Sequence, residues 1–192
     1  MSKRLITALL GIPALALAGP ALAQNATYDV EPDHSFVTFE VVHSGTSTTR
    51  GRFDTLTGTI QLNPDAKTGQ AAIQIDTASI NSGSKGFDEH LRGKDFFDVT
   101  AFPEARFQGN GFVFENGRVS SVTGTLTLLG VQNPVTLQAS HFNCYQNKRI
   151  QRDVCGGDFE ATIQRSQWGM GFGLPGIPDT VRLVIQIEAI KQ

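Results

Sequence analysis

Apolar and polar residues alternate along much of the chain with a period of two. This alternation is typical of a β-strand with one buried and one solvated face, because successive side chains point to opposite sides. Val184 interrupts the pattern in the last such stretch. Polar, turn-forming segments separate the stretches, and Asn116-Gly117 is a strong hairpin signal. The alternating stretches are residues 37–41, 73–76, 125–128, 135–138 and 183–188.

The spacing of strands and turns predicts an all-β fold of about eight antiparallel strands in a meander, arranged as a sandwich or a barrel. One segment has helical spacing instead, with Phe87, His90 and Leu91 at i, i+3 and i+4. We expect Ser84 to begin this helix and Gly93 to end it. A single short helix in such a meander commonly covers one end of a barrel. A second irregular segment, residues 167–179, is predicted to be an apolar loop.

The N-terminus has the three parts of a secretory signal peptide. Lys3 and Arg4 form a basic region, residues 5–18 form an apolar run, and Ala21-Leu22-Ala23 is a small-x-small cleavage site. The apolar run is shorter than the roughly 18 residues that a transmembrane helix needs. We therefore predict a signal peptide over residues 1–23, one domain over residues 24–192 and, after cleavage, no integral membrane segment.

Charge and cysteine content narrow the function classes. The formal net charge of −2 becomes two units more negative without Lys3 and Arg4, so no basic surface for nucleic acid is predicted. The two cysteines, Cys144 and Cys155, flank a polar stretch that resembles the loop of a hairpin. In an exported protein we expect them to form one disulfide bridge. A redox pair or metal ligation is the alternative, although the spacing is not CxxC.

No motif marks an enzyme or a metal centre. The chain lacks a GxSxG nucleophile elbow, and Asp33, His34 and Ser35 are adjacent, so in a strand they cannot converge as a triad. No HExxH motif is present, and we predict no metal site. The alternative for a metal is convergence of His43 and His141, two histidines expected at strand ends.

Several motifs resemble the YceI-like family of periplasmic polyisoprenoid-binding proteins. The resemblance covers essentially the whole mature chain. Its most specific part is His90-Leu91-Arg92-Gly93-Lys94-Asp95-Phe96-Phe97-Asp98-Val99, followed by Phe102-Pro103 and Phe107. The other matching motifs are Asp33-His34-Ser35 with Phe39 and His43, Gly51-Arg52-Phe53, residues 122–131 with Pro134-Val135, Arg165-Ser166-Gln167-Trp168-Gly169-Met170, and residues 179–183.

The resemblance implies a lipocalin-like antiparallel β-barrel with one short helix and a deep apolar channel, in a periplasmic protein. The ligand it implies is a polyprenyl or quinone-type lipid, or a similar amphiphile, and no cofactor is required. His43 and Arg165 are the expected contacts for a polar head group. The expected channel wall and covering residues are Val37, Phe39, Val41, Phe87, Leu91, Phe96, Phe97, Ile163, Leu183, Ile185 and Ile187, and the expected mouth residues are Trp168, Met170 and Phe172.

Three alternatives to a lipid-binding module stay open at this point. The same cavity could serve an enzyme acting on an isoprenoid or quinone, which a pair of convergent side chains with shifted pKa values would favour. Each wall residue could equally belong to an ordinary filled core. An outer-membrane barrel is disfavoured, because one Trp and two Tyr cannot form two aromatic girdles. Family members can also pair as homodimers, but no apolar stripe in the sequence predicts one.

Overall fold

A computed structural model describes residues 25–192 of the chain, so the predicted signal peptide of residues 1–23 lies outside the described residues. Eleven strand segments and one α-helix, α1 (Lys85–Arg92), make up the fold. The strands are β1 (Ala26–Val30), β2 (Phe36–His43), β3 (Ser47–Phe53), β4 (Leu56–Asn63), β5 (Thr68–Asp76), β6 (Ile80–Asn81), β7 (Glu104–Glu115), β8 (Arg118–Leu128), β9 (Val131–Asn147), β10 (Arg152–Gln164) and β11 (Thr180–Lys191).

All of these segments belong to one antiparallel sheet that closes on itself. The first and last segments complete the ring, with Tyr28 of β1 opposite Lys191 of β11. β1 and β2 both pair with β11, one after the other along its length. β4 pairs with β1 and β3 with β2, and on the far side β5 pairs with β4 and β6 with β3. The segments β1 and β2, β3 and β4, and β5 and β6 are therefore three interrupted strands, and the ring is a closed eight-stranded β-barrel. The predicted fold class is confirmed.

A short 3-10 turn, Pro32–His34, interrupts the first long strand. The ring of Pro32 removes a backbone donor, so the regular ladder cannot continue through it. The buried Ser35 hydroxyl bridges the gap, because it donates to the carbonyl of Glu188 (3.2 Å) and accepts from the Glu188 N–H (3.1 Å). The Asp33-His34-Ser35 motif therefore serves to join two strand segments.

The barrel has two different ends. The helix end carries the β2–β3 turn, the segment 82–103 with α1, the β8–β9 turn and the loop 169–179. The disulfide end carries the β4–β5, β7–β8 and β9–β10 turns. At this second end Cys144 of β9 and Cys155 of β10 are opposite each other in register and are bonded, as predicted.

Helix α1 lies where the sequence predicts it and is held to the barrel by polar contacts. Ser84 occupies the N-cap position without a side-chain capping bond, and at the other end the N–H of Gly93 donates to the carbonyl of His90 (3.0 Å). Arg92 donates through Nε to the carbonyl of Ala78 (2.9 Å) and through Nη2 to that of Ile80 (2.7 Å). The helix is therefore fixed against the connection between β5 and β6, and its apolar face is turned towards the barrel.

Candidate functional site

The barrel encloses an apolar cavity of about 290 Å³. Its lining extends from His43 and Arg165 at the helix end to Phe142 and Cys155 at the disulfide end. The interior is therefore not completely filled by side chains, and the space runs along the barrel. Clefts with mainly apolar walls and a few polar groups are the usual form of small-molecule sites.

The structure brings most of the predicted site residues together around this cavity. From β2 and β11 come alternate residues, as expected for side chains on the inner face of a barrel. From the helix segment come residues that cover the helix end, where the rings of Phe53 and Phe97 meet edge to face (5.2 Å between centroids). The predicted residues that line the cavity are Val37, Phe39, Val41, His43, Phe87, Leu91, Phe96, Phe97, Ile163, Arg165, Met170, Leu183, Ile185 and Ile187.

Trp168 and Phe172, which were predicted at the mouth, lie outside the lining. Trp168 is buried in the 3-10 turn Arg165–Trp168, where its Nε1 donates to the carbonyl of Leu126 (3.1 Å). Phe172 is 43% exposed and packs on the outside of the helix segment, 5.2 Å from His90 and 5.3 Å from Phe96 between ring centroids. These two side chains fix the loop and the helix segment in place, and Met170 is the member of the predicted mouth group that reaches the cavity.

The prediction did not include the wall formed by the middle strands. These strands alternate as regularly as β2 and β11, so the signal was present in the sequence. The alternation shows which residues point inward, but it is the same for a residue that borders a cavity and for one that fills a core. The residues that could have been found in this way include Ile73, Ile75, Phe107, Val122, Leu126, Leu128, Val135 and Leu137.

Few of the lining side chains are polar, and none of them is an aspartate or glutamate. Those with polar groups are Tyr28, His43, Thr49 and Arg165. Burial raises the pKa of the Tyr28 phenol, so this group is neutral at physiological pH. Such walls offer contact area to apolar ligands and few hydrogen bonds, so ligand orientation depends on these few groups.

Arg165 is a buried cation at the helix end, with 3% of its surface exposed. Its guanidinium donates to three backbone carbonyls, those of Pro178 (3.0 Å), Met170 (2.8 Å) and Ile177 (3.1 Å). Burial lowers the pKa of the guanidinium, and the nearby Asp179 carboxylate partly offsets this effect. Arg165 thus holds the loop 169–179 over the helix end and also borders the cavity.

The histidines considered as metal ligands lie at different ends of the barrel. His43 ends β2 at the helix end, whereas His141 lies in β9 opposite Asp158, towards the disulfide end. Among residues 25–192, no three His, Cys, Asp or Glu side chains are grouped so that they could hold a metal ion. Within that same range, no helix is long and apolar enough to cross a membrane.

The family follows from comparison of the whole chain with known proteins. Residues 28–189, almost all of the described chain, match the model of the YceI-like domain. The chain belongs to the YceI-like family. A UPF0312 protein of Pseudomonas aeruginosa is 34% identical over 202 residues, an alignment that covers 100% of both chains. The resemblance of the sequence motifs to the YceI-like family is therefore confirmed.

Two solved structures have a fold similar to that of this chain. Burkholderia cenocepacia BcnA matches with a TM-score of 0.69 and 26% identity, covering 83% of this chain and 99% of BcnA. A polyisoprenoid binding domain from Saccharophagus degradans matches with a TM-score of 0.59 and 18% identity, covering 86% of this chain and 98% of that domain. At that identity the second likeness concerns the fold alone.

Proposed function

We propose that this YceI-like protein binds a long isoprenoid, such as a polyprenyl or quinone-type lipid or a similar amphiphile, with the chain inside the barrel. Exported to the periplasm, it would act as a carrier or store of that lipid. The observation that carries the proposal is the apolar cavity that runs between the two ends of the barrel. The description of the Saccharophagus degradans domain as polyisoprenoid binding agrees with this ligand class.

The energetics suit a chain of this kind. An isoprenoid tail offers only methyl, methylene and olefinic groups, so its binding comes from apolar burial. Burying one CH₂ contributes about 0.8 kcal/mol, and a few isoprene units are enough to offset the roughly 4–15 kcal/mol that association costs. A ligand with a short chain would not reach that balance, so the walls favour long chains.

Binding is the function that we propose rather than catalysis. The enzymatic alternative would be favoured by two convergent acid–base groups, and the described lining residues supply no carboxylate. The two lining side chains that can carry a positive charge, His43 and Arg165, are both at the helix end of the barrel.

The test is native mass spectrometry of the exported protein, with organic extraction and with uptake of added geranylgeraniol. Bound isoprenoid, or uptake of the alcohol, is expected for the wild type. Ala105, which is buried and lines the cavity, offers a blocking variant, because Ala105→Phe places a ring inside the space. Val113→Phe is the matched control, since Val113 is 48% exposed and lies outside the lining.

We expect Ala105→Phe to reduce uptake by at least tenfold and Val113→Phe to leave it unchanged. Absence of any bound lipid together with no uptake by the wild type would overturn the proposal. Equal uptake by both variants would place the ligand outside the barrel, and would overturn it as well.

A further inference from the structure

The connections at the two ends of the barrel differ in charge. At the helix end, the β2–β3 turn, the β8–β9 turn and residues 169–178 contain no Asp, Glu, Lys or Arg. The charged residues in the connections of that end are Asp179, at the base of the loop, and those of the segment 82–103, which carry both signs. Every turn at the disulfide end contains or adjoins charged residues, namely Asp65, Lys67, Glu115, Arg118, Lys148 and Arg149. Three of the four helix-end connections are therefore almost free of charge.

Exposed apolar side chains accompany this lack of charge. Seven large apolar residues are exposed among residues 25–192, and four of them lie in or beside these three connections. We call these four residues the helix-end rim: Val42, Val131, Phe172 and Leu174. Single exposed apolar residues are normal on a protein surface. A group of them on uncharged connections at one end of the barrel instead suits an interaction surface.

The loop that carries half of the helix-end rim is held in shape by its own contacts. The guanidinium of Arg165 donates to three carbonyls of the loop. Within the loop, the N–H of Leu174 donates to the carbonyl of Gly171 (3.2 Å), and the N–H of Ile177 donates to that of Gly173 (2.8 Å). The exposed side chains of the loop are therefore presented by an ordered backbone, so little ordering entropy is lost when they bind a partner.

The same loop separates the helix-end rim from the cavity. Met170 and Ile177 line the cavity, whereas Phe172 and Leu174, which lie between them in sequence, are exposed outside it. Next to Val42, His43 lines the cavity and is itself exposed, and the other lining residues in the described part of the chain are buried or half-buried. The cavity therefore approaches the surface beside the helix-end rim.

From this arrangement we propose that the helix-end rim docks on the surface of a lipid bilayer without net charge, with the His43 end of the cavity facing the membrane. The inference rests on the proposed function and names the partner that supplies or receives the lipid. A long isoprenoid partitions into the bilayer rather than into water, so exchange is easiest where the protein touches the membrane.

The chemistry of the helix-end rim suits this partner. Apolar side chains can enter the boundary between lipid head groups and acyl chains, where a charged residue would be costly to bury. None of the three connections that carry the helix-end rim contains Lys or Arg, so docking does not depend on attraction to anionic lipids. We therefore expect binding that responds to apolar area and hardly to salt.

The experiment measures binding of the exported protein to vesicles of palmitoyl-oleoyl-phosphatidylcholine by flotation. We expect the wild type to bind, with less than a twofold change between 50 and 500 mM NaCl. The double variant Phe172→Asp, Leu174→Asp is expected to bind at least ten times more weakly. The matched control is Val113→Asp, Ile150→Asp, which adds the same charge at two exposed apolar residues of the disulfide end and should bind like the wild type.

Lipid uptake separates this inference from the proposed function. Geranylgeraniol is offered either in the same vesicles or as a soluble cyclodextrin complex. Because Phe172 and Leu174 lie outside the lining, the double variant should take up the alcohol from cyclodextrin as the wild type does, but at least ten times more slowly from vesicles. Should the double variant fail to fold, Leu174→Asp alone keeps the ring contacts of Phe172 and is expected to weaken vesicle binding at least threefold.

Four outcomes would overturn the inference. If the wild type does not bind the vesicles, or binds them only at low salt, the docking is wrong, while uptake from cyclodextrin would still support the proposed function. Equal vesicle binding by the double variant and the control would also contradict it. A dimer in native mass spectra of the wild type and the control, but not of the double variant, would assign the helix-end rim to a second copy of the chain. Absence of wild-type uptake from both donors would overturn the proposed function, and the inference with it.

Discussion

Phe39 and Gly51 are partners in register across β2 and β3, and the ring of Phe39 lies over the glycine. A Cβ atom at position 51 would come within 2.7 Å of Cε1 of that ring. Phe39 is buried and lines the cavity, so the missing side chain at residue 51 is what leaves room for the ring in this position. The Gly51-Arg52-Phe53 motif therefore has a steric role.

Gly51→Ala is expected to displace the Phe39 ring into the cavity and to destabilise the barrel. Overpacking of this kind costs roughly 1–3 kcal/mol, and the displaced ring should also weaken lipid uptake. Gly86→Ala is the matched control, because a Cβ at this helical position meets no atom within 4 Å. The control should leave stability unchanged or raise it by up to about 1 kcal/mol. Urea unfolding checks both variants, and equal midpoints for the two would contradict the steric role.

Removing the disulfide between β9 and β10 should lower the stability of the barrel. The bond joins strands that are already paired, and its cysteines are only 11 positions apart in the sequence. The double variant Cys144→Ser, Cys155→Ser is expected to lower the free energy of unfolding by roughly 2–4 kcal/mol. Urea titration measures the loss, and reduced wild type should match the variant. Two free thiols in unfolded, unreduced wild type would show that the bond does not form in solution.

The carboxylate of Asp88 should make part of the stability depend on pH. It accepts hydrogen bonds from the N–H (2.7 Å) and hydroxyl (2.6 Å) of Ser82, and these bonds lower its pKa below 3.8. A pKa lower in the folded than in the unfolded protein gives stability that is present above the unfolded value and lost as pH falls through the folded value. The contribution should thus be complete at pH 6 and disappear well below pH 3.8.

Asp88→Asn tests this dependence. Hydrogen bonds to a charged group contribute roughly 1.5–3 kcal/mol, so the variant should be less stable than the wild type by about that amount at pH 6. Urea unfolding at pH 6 and pH 2.5 should show the gap narrowing at the lower pH. Glu89→Gln, on the exposed side of the same helix, serves as the control. A gap that stays constant with pH would contradict the role given to Asp88.

Trp168 should matter to stability more than to ligand contact. Trp168→Phe removes the donor to the buried Leu126 carbonyl, and an unmade buried hydrogen bond costs about 1–3 kcal/mol. Tyr145→Phe, at a side chain that is 48% exposed, should cost almost nothing. Thermal unfolding followed by circular dichroism compares the two. A larger effect of Trp168→Phe on lipid affinity than on stability would indicate that Trp168 contacts the ligand and would contradict this prediction.

Strands and helix could be predicted because their signals are local. Alternation at residues 73–76 or 183–188 follows from one face being buried, and the helical spacing of Phe87 and Leu91 follows from packing against the barrel. The burial of Trp168 could not be predicted, because its position depends on a carbonyl from β8, 42 residues away. No local pattern contains such information. For the same reason the apolar residues could be assigned to the interior, but not divided between cavity wall and filled core.

The pairing of Tyr28 with Lys191 sets a requirement on how the molecule folds. The barrel closes only when its first and last strands meet, so the decisive contact spans nearly the entire described chain. Contacts of such long sequence separation make folding slow, because chain entropy is lost before the closing contacts form. A folding intermediate that lacks β11 would leave β1, β2 and β10 each without one neighbour.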